Sequence, residues 1–145
     1  MTEWLVSVGS LTGAVVVGVL ILVLGEWAKV FLVEPMQRFA EVVGRVALYH
    51  LLYANLVPMP GLADPDSLKA GSATLRQAAA DLQEAWYRLR WRWLATRVFG
   101  LPRDGAVRDA TKGLVGWSNS LFDIHADRQV HRERIRTALH LPLLD

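Results

Sequence analysis

The sequence predicts an all-α protein in which a single N-terminal transmembrane helix continues into a cytoplasmic antiparallel four-helix bundle. Three observations lead there. Residues 4–25, WLVSVGSLTGAVVVGVLILVLG, carry no charge between Glu3 and Glu26. Beyond them, apolar residues recur at spacings of three and four in successive segments, the period of helices with one buried face. No segment alternates apolar and polar residues as a half-buried strand does.

The apolar run comes first. About 20 apolar residues rising about 1.5 Å each cover the hydrocarbon layer of a bilayer, and a soluble core helix of that length normally shows a polar face. No basic region precedes the run and no small-x-small step comes after it, so it reads as a retained anchor and not as a cleaved secretory signal. Glu3 lies before it, whereas Lys29, Arg38 and Arg45 lie after it. The positive-inside tendency then places the C-terminal part in the cytoplasm. Residues 1–33 form the transmembrane helix and its juxtamembrane extension, and residues 34–145 the bundle.

Pro35, inside a helical pattern, predicts a kink or a restart. After it, Phe39, Val43, Val46, His50 and Tyr53 form a stripe that Val42, Tyr49 and Leu52 widen, and the helix should end around Asn55. LVPMPGLADPDS, residues 56–67, holds three prolines and a glycine and reads as a loop, with Asp66 or Ser67 capping the next helix. This second long helix is expected to run to about Phe99, carrying Leu75, Ala79, Leu82, Trp86, Leu89 and Trp93 on one face before Gly100, Leu101 and Pro102 stop it. A third starts near Asp104 and sets Val107, Ala110, Leu114, Trp117 and Leu121 in register. After a turn over residues 123–127, a more polar fourth helix turns His131, Ile135 and Ala138 inward.

The most distinctive stretch is WYRLRWRW, residues 86–93. Arginine interleaved with aromatics suits a lipid headgroup layer, a protein surface or single-stranded nucleic acid. If the second long helix packs antiparallel on the first, it returns to membrane level after about 30 residues. That places Trp86, Tyr87, Arg88, Arg90, Trp91, Arg92 and Trp93 at the membrane interface, where indoles settle among headgroups and guanidinium groups reach phosphates. Tyr87, Trp91, Leu94 and Val98 form a second apolar stripe that needs a partner of its own. A nucleic-acid partner is disfavoured: the net charge is only +2 and nothing else extends a basic track.

Within the span, Gly9 and Gly13 form a small-xxx-small pair, while Ala14, Gly18 and Gly25 share an arc with Ser7 on roughly the other side. Two close-packing faces suit a ring of head-to-tail contacts, in which each helix meets two neighbours differently.

Candidates for chemistry are sparse. The absence of cysteine excludes disulfides, thiolate metal sites and cysteine nucleophiles. Arg45 and His50 have the R-x4-H spacing used by HEPN-type ribonucleases, and Arg134 and His140 give a looser R-x5-H. Residues five apart on a helix are offset by about 140°, so such a pair needs a distorted helix or a site shared between chains. Asp123, His125, Asp127 and His131 are metal-ligand types, but their turn and helix-start positions favour capping and solvent exposure, so no metal or cofactor is expected. Ser118, Asn119 and Ser120 read as small polar groups on a helix surface, or as groups that bond a neighbouring helix. Phosphate-binding, dinucleotide-binding, zinc-protease and nucleophile-elbow motifs are all absent from the sequence.

The segments Glu34-Pro35, Gly44-Arg45, Tyr53-Ala54-Asn55, Leu75-Arg76, Leu101-Pro102, Leu114-Val115-Gly116 and Ser118-Asn119-Ser120-Leu121 resemble an uncharacterised family of small bacterial proteins. Its members have one N-terminal membrane helix and a helical cytoplasmic part. In layout the chain is also distantly similar to CRISPR-associated HEPN-like membrane pore proteins, which assemble as rings and disturb the membrane in antiviral defence. The first resemblance implies architecture and a place in the bacterial inner membrane; the second implies a ring in the membrane. The expected function is therefore a non-enzymatic, membrane-anchored bundle that binds lipid and self-associates as a pore-forming or scaffolding element. The alternatives are a membrane-tethered HEPN-like ribonuclease and a passive anchor of a larger complex.

Overall fold

The computed structural model describes residues 2–53, 64–123 and 126–141, with side-chain surroundings from residue 13 onward. Every regular element among them is helical: α1 (Thr2–Ala28), a π segment (Lys29–Val33), α2 (Glu34–Leu52), α3 (Pro65–Arg88), α4 (Arg92–Val98), α5 (Asp104–Ser120) and α6 (Arg128–Leu139).

The first three succeed one another without a break, so the apolar run extends directly into the bundle. The helix Gly13–Leu52 contains a stretch long and apolar enough to cross a membrane, and no part of that stretch is buried against the rest of the chain. The interruption expected at Pro35 is the π segment just before it. In a regular α-helix the proline ring would meet the carbonyl four residues back. The wider turn removes that conflict: Glu34 N–H donates to the Lys29 carbonyl, five residues back, and Pro35 then sits in the first turn of α2, where its missing N–H costs nothing.

α2 buries Phe39, Val42 and Val46, with Val43, Tyr49 and Tyr53 packed beside them. Leu52, assigned to the same stripe, is exposed. At 100° per residue it lies about 140° around the helix from Phe39, off the buried face. The predicted end near Asn55 and most of the predicted loop fall outside the described residues.

α3 is capped two or three residues earlier than expected. Asp64 accepts from Asp66 N–H, and the Ser67 hydroxyl donates to the Asp64 carbonyl. Pro65 dictates this, because its fixed φ suits the first helical position and leaves the preceding aspartate as cap. α3 then buries Leu75, Ala78, Ala79, Leu82, Ala85 and Trp86.

α5 is the centre of the bundle: α3 and α6 pack most extensively on it, and α2 packs on α3. Its stripe of Val107, Ala110, Leu114, Trp117 and Leu121 is buried as the register predicted, and Ile135 and Leu139 of α6 close over it. Gly113 and Gly116 let α6 approach. A Cβ on Gly113 would stand 2.7 Å from the Ile135 side chain, and one on Gly116 would stand 2.5 Å from the His131 ring. α6 starts at Asp127, whose carboxylate accepts from Val130 N–H, and ends at His140 in the left-handed conformation (φ 53°).

Candidate functional site

The arginine and tryptophan stretch is not one helix. α3 stops at Arg88, Leu89 takes an extended conformation (ψ 96°), and helix resumes only at Arg92. This corrects the expectation of a single helix to Phe99, and with it the placement of Trp93. Trp86 and Leu89 stay on the buried stripe, but Trp93, beyond the break, is 65% exposed. The stop at Gly100 is as expected; its φ of 66° is open to glycine and unfavourable for residues with a Cβ.

Three indoles of the stretch have three environments. Trp86 is core: its ring tilts against Phe39 at 5.5 Å and its N–H donates to the Asp104 carboxylate at 2.8 Å. Trp91 meets Trp27 edge-on at 5.9 Å. Trp93 faces outward, as do Tyr87, Val98 and Phe99. Trp27 was not singled out from the sequence, although an indole two residues past the apolar run is the usual mark of a membrane-interface position. Trp27 also stacks on Phe31, with ring centroids 4.9 Å apart.

The guanidinium groups are distributed around these rings. Arg88 pairs with Glu84 at 2.6 Å. Arg92 lies over the Tyr87 ring at 5.5 Å and reaches Asp104 at 3.6 Å, where Arg108 also arrives at 3.3 Å. Arg90 is exposed. The result is a surface of exposed aromatic and aliphatic side chains edged with arginine, adjoining the end of the apolar helix.

The small residues of the apolar helix face open space. Gly13, Ala14, Gly18 and Gly25 are exposed, and a Cβ on any of the three glycines would meet nothing within 4 Å. The surroundings of Gly9 lie outside the described residues.

Arg45 and His50 point to different neighbours. Arg45 lies 3.7 Å from Asp81 of α3, whereas the His50 ring meets Trp117 of α5 edge-on at 5.6 Å. Burial lowers the His50 pKa below its ordinary 6.5, the nearby Arg132 charge adds to this, and the Arg132 backbone partly opposes it. His50 Nε2 is buried without a hydrogen-bond partner among the described residues, as are His131 Nδ1 and Arg132 Nε. Arg132 also lies over the Trp117 ring at 5.9 Å, so Trp117 is in contact with His50 from α2 and Arg132 from α6. Arg134 and His140 are exposed on the rim of an open cavity of about 960 Å³ between the start of α5 and α6.

Asp127 serves as a helix cap and His131 packs on Gly116, while His125 lies outside the described residues. Among the described residues no three metal-ligating side chains converge. Ser118 and Ser120 are buried, not surface groups, and each donates to a carbonyl three residues back. Arg76 of α3 donates to Ser118 Oγ at 3.3 Å and to Asn119 Oδ1 at 2.9 Å, a polar link between helices that sequence spacing alone did not reveal.

Comparison with known proteins found no matching family model, no similar curated protein and no similar solved structure.

Proposed function

We propose that the chain is a membrane-anchored helical scaffold: residues 4–25 cross the bilayer and the arginine and tryptophan stretch rests on its cytoplasmic face. The observation that carries this reading is the edge contact between Trp27, at the end of the apolar run, and Trp91. It brings the stretch to the height at which the chain leaves the hydrocarbon. The pairs Arg45 with Asp81, Phe39 with Trp86 and Trp27 with Trp91 run in the order of an antiparallel hairpin, the first partner moving back along α2 into α1 as the second advances along α3 and past its end.

The break after Arg88 fits the same reading. Five helical residues would advance about 7.5 Å along one axis, whereas an extended Leu89 followed by a turn at residues 90–91 takes the chain off that axis. Trp91 meets Trp27 there, and α4 is left with Trp93 and Val98 uncovered. Tyr87, Trp93, Val98 and Phe99 then find in the headgroup layer the cover that the chain itself does not supply.

The bare, glycine-bearing apolar helix is the surface for self-association, and a ring with pore-forming or scaffolding action is the assembly it suits. Mass measurement of the detergent-extracted particle tests this part, and a monomer would remove the ring.

The membrane reading itself is tested by depth. The chain has no cysteine, so a nitroxide can be placed through Trp93→Cys, Val98→Cys or Lys69→Cys in the full-length protein reconstituted in vesicles. Accessibility to oxygen and to a water-soluble nickel complex should place positions 93 and 98 at the headgroups and position 69 in water. Positions 93 and 98 in bulk water would sink the proposal.

A further inference from the structure

α4 and the start of α5 enclose a recess whose chemistry is more specific than general affinity for a membrane surface. Two adjoining cavities, of about 580 Å³ and about 330 Å³, share Trp93, Thr96 and Arg103. Arg97 lines the smaller. Gly100 takes φ 66°, and Leu101 N–H returns to the Ala95 carbonyl at 3.4 Å. That turn brings Arg103 back beside Thr96 and Arg97.

The charges are unbalanced. Among the described residues Asp104 is the one carboxylate lining either cavity, and it already receives the Trp86 indole N–H, Arg92 and Arg108. Arg97 and Arg103 have no ion pair among the described residues. Two unpaired guanidinium groups at one recess call for an anion able to accept from both, and a phosphate does so with paired N–H donors. Trp93, 65% exposed, lines the recess, and Phe99, 50% exposed, lies in the segment between Arg97 and Arg103; both suit the glycerol and upper acyl region beneath a phosphate.

We infer that the recess formed by Trp93, Thr96, Arg97 and Arg103 holds the headgroup phosphate of an anionic phospholipid. This rests on the membrane reading above, because only at the bilayer surface does the recess meet lipid. A zwitterionic lipid carries its own ammonium counter-charge and gains less from two arginines, so the site discriminates by net headgroup charge.

The full-length protein in detergent, mixed with equal amounts of phosphatidylglycerol and phosphatidylcholine and measured by native mass spectrometry, should retain phosphatidylglycerol several-fold more. Arg97→Gln with Arg103→Gln should bring the two lipids to parity. Lys69→Gln, a substitution of an exposed basic residue at the other end of α3, should leave the preference intact. Inorganic phosphate at millimolar concentration should not remove it. Equal retention by the unaltered protein, an undiminished preference in the double variant, or equal loss in the Lys69 variant would overturn the inference. Displacement by inorganic phosphate would assign a free-anion site and overturn it as well. The spin labels keep the two proposals apart. Labels at headgroup depth without lipid preference defeat only this site, while labels in water defeat the membrane reading itself.

Discussion

The Trp86 indole N–H donates to the Asp104 carboxylate at 2.8 Å, joining the last turn of α3 to the first turn of α5 across the point where the arginine and tryptophan stretch leaves the helix. The same carboxylate meets Arg92 and Arg108, so one half-exposed side chain holds the two sides of the break together. Asp104→Asn keeps an oxygen for the indole but removes the charge that gathers the arginines. Asp104→Ala also leaves the buried indole N–H without its acceptor. The alanine variant should lose about 1–2 kcal/mol of stability and the asparagine variant less. Thermal unfolding of the full chain in micelles, monitored by circular dichroism, gives the comparison. Equal loss in both would mean that charge, not the indole bond, is what matters.

The glycines of α2 and α5 should respond oppositely to the same substitution. Gly44 is exposed with nothing within 4 Å of a Cβ, so Gly44→Ala should add about 0.5–1 kcal/mol through helix propensity. Gly113→Ala gains the same propensity but drives a Cβ to 2.7 Å from Ile135 and 3.1 Å from the His131 carbonyl. The side chain can turn aside and the backbone cannot, so an overpacking cost of about 1–3 kcal/mol wins. Denaturant midpoints of the two variants measured side by side check the sign of each. A stabilised Gly113→Ala would show that α5 and α6 are not closely packed.

Stability should fall as acid is added, first through His50. Its pKa is lowered chiefly by burial and then by the Arg132 charge, so between its folded value and 6.5 the unfolded chain binds the extra proton. Stability therefore rises with pH through that interval and is lost as pH falls through the folded pKa. The groups facing His50 are Trp117 from α5 and Arg132, Glu133 and Arg136 from α6. Glu133, lowered by its hydrogen bond with Arg136, acts in the same direction at lower pH. His50→Gln should flatten the melting temperature below pH 6.5 and leave the carboxylate-dependent fall in place. An unchanged profile would assign the upper part of the loss to another group.

Helix periodicity made most of the core legible in the sequence. Val107, Ala110, Leu114, Trp117 and Leu121 are buried because a regular helix turns the same face at those steps. The same logic misplaced Trp93, since periodicity assumes that the helix continues. Leu89 is buried on the old stripe while its backbone leaves the helix, and no glycine or proline in residues 86–93 marks the event. The two sides of the break have different distant neighbours: Trp86 is held by Phe39 and Asp104, and Trp91 meets Trp27, contacts made across the chain and not along it. Asp64 was passed over as a cap although Pro65 after it is a strong signal. The Arg76 link to Ser118 and Asn119 joins residues more than 40 positions apart, which no local pattern encodes.

The contact between Trp27 and Trp91 should carry measurable coupling. Edge-on aromatic pairs contribute about 0.5–1.5 kcal/mol beyond the area they bury. Trp27→Ala and Trp91→Ala should each destabilise the full chain in micelles, and the double variant should lose less than the sum by about that amount. Replacing Trp93, which is mostly exposed and has no aromatic partner among the described residues, should show no coupling to Trp27. The same variants separate folding from membrane contact. Loss of Trp27 should loosen α4 from the helix end and shift a label at position 98 in depth, whereas loss of Trp93 should leave that label where it was. If the Trp27 and Trp91 substitutions prove additive and the label stays in place, α4 is positioned by the Trp86 and Asp104 bond alone. The approach of the stretch to the end of the apolar helix would then have to be explained without the indole pair.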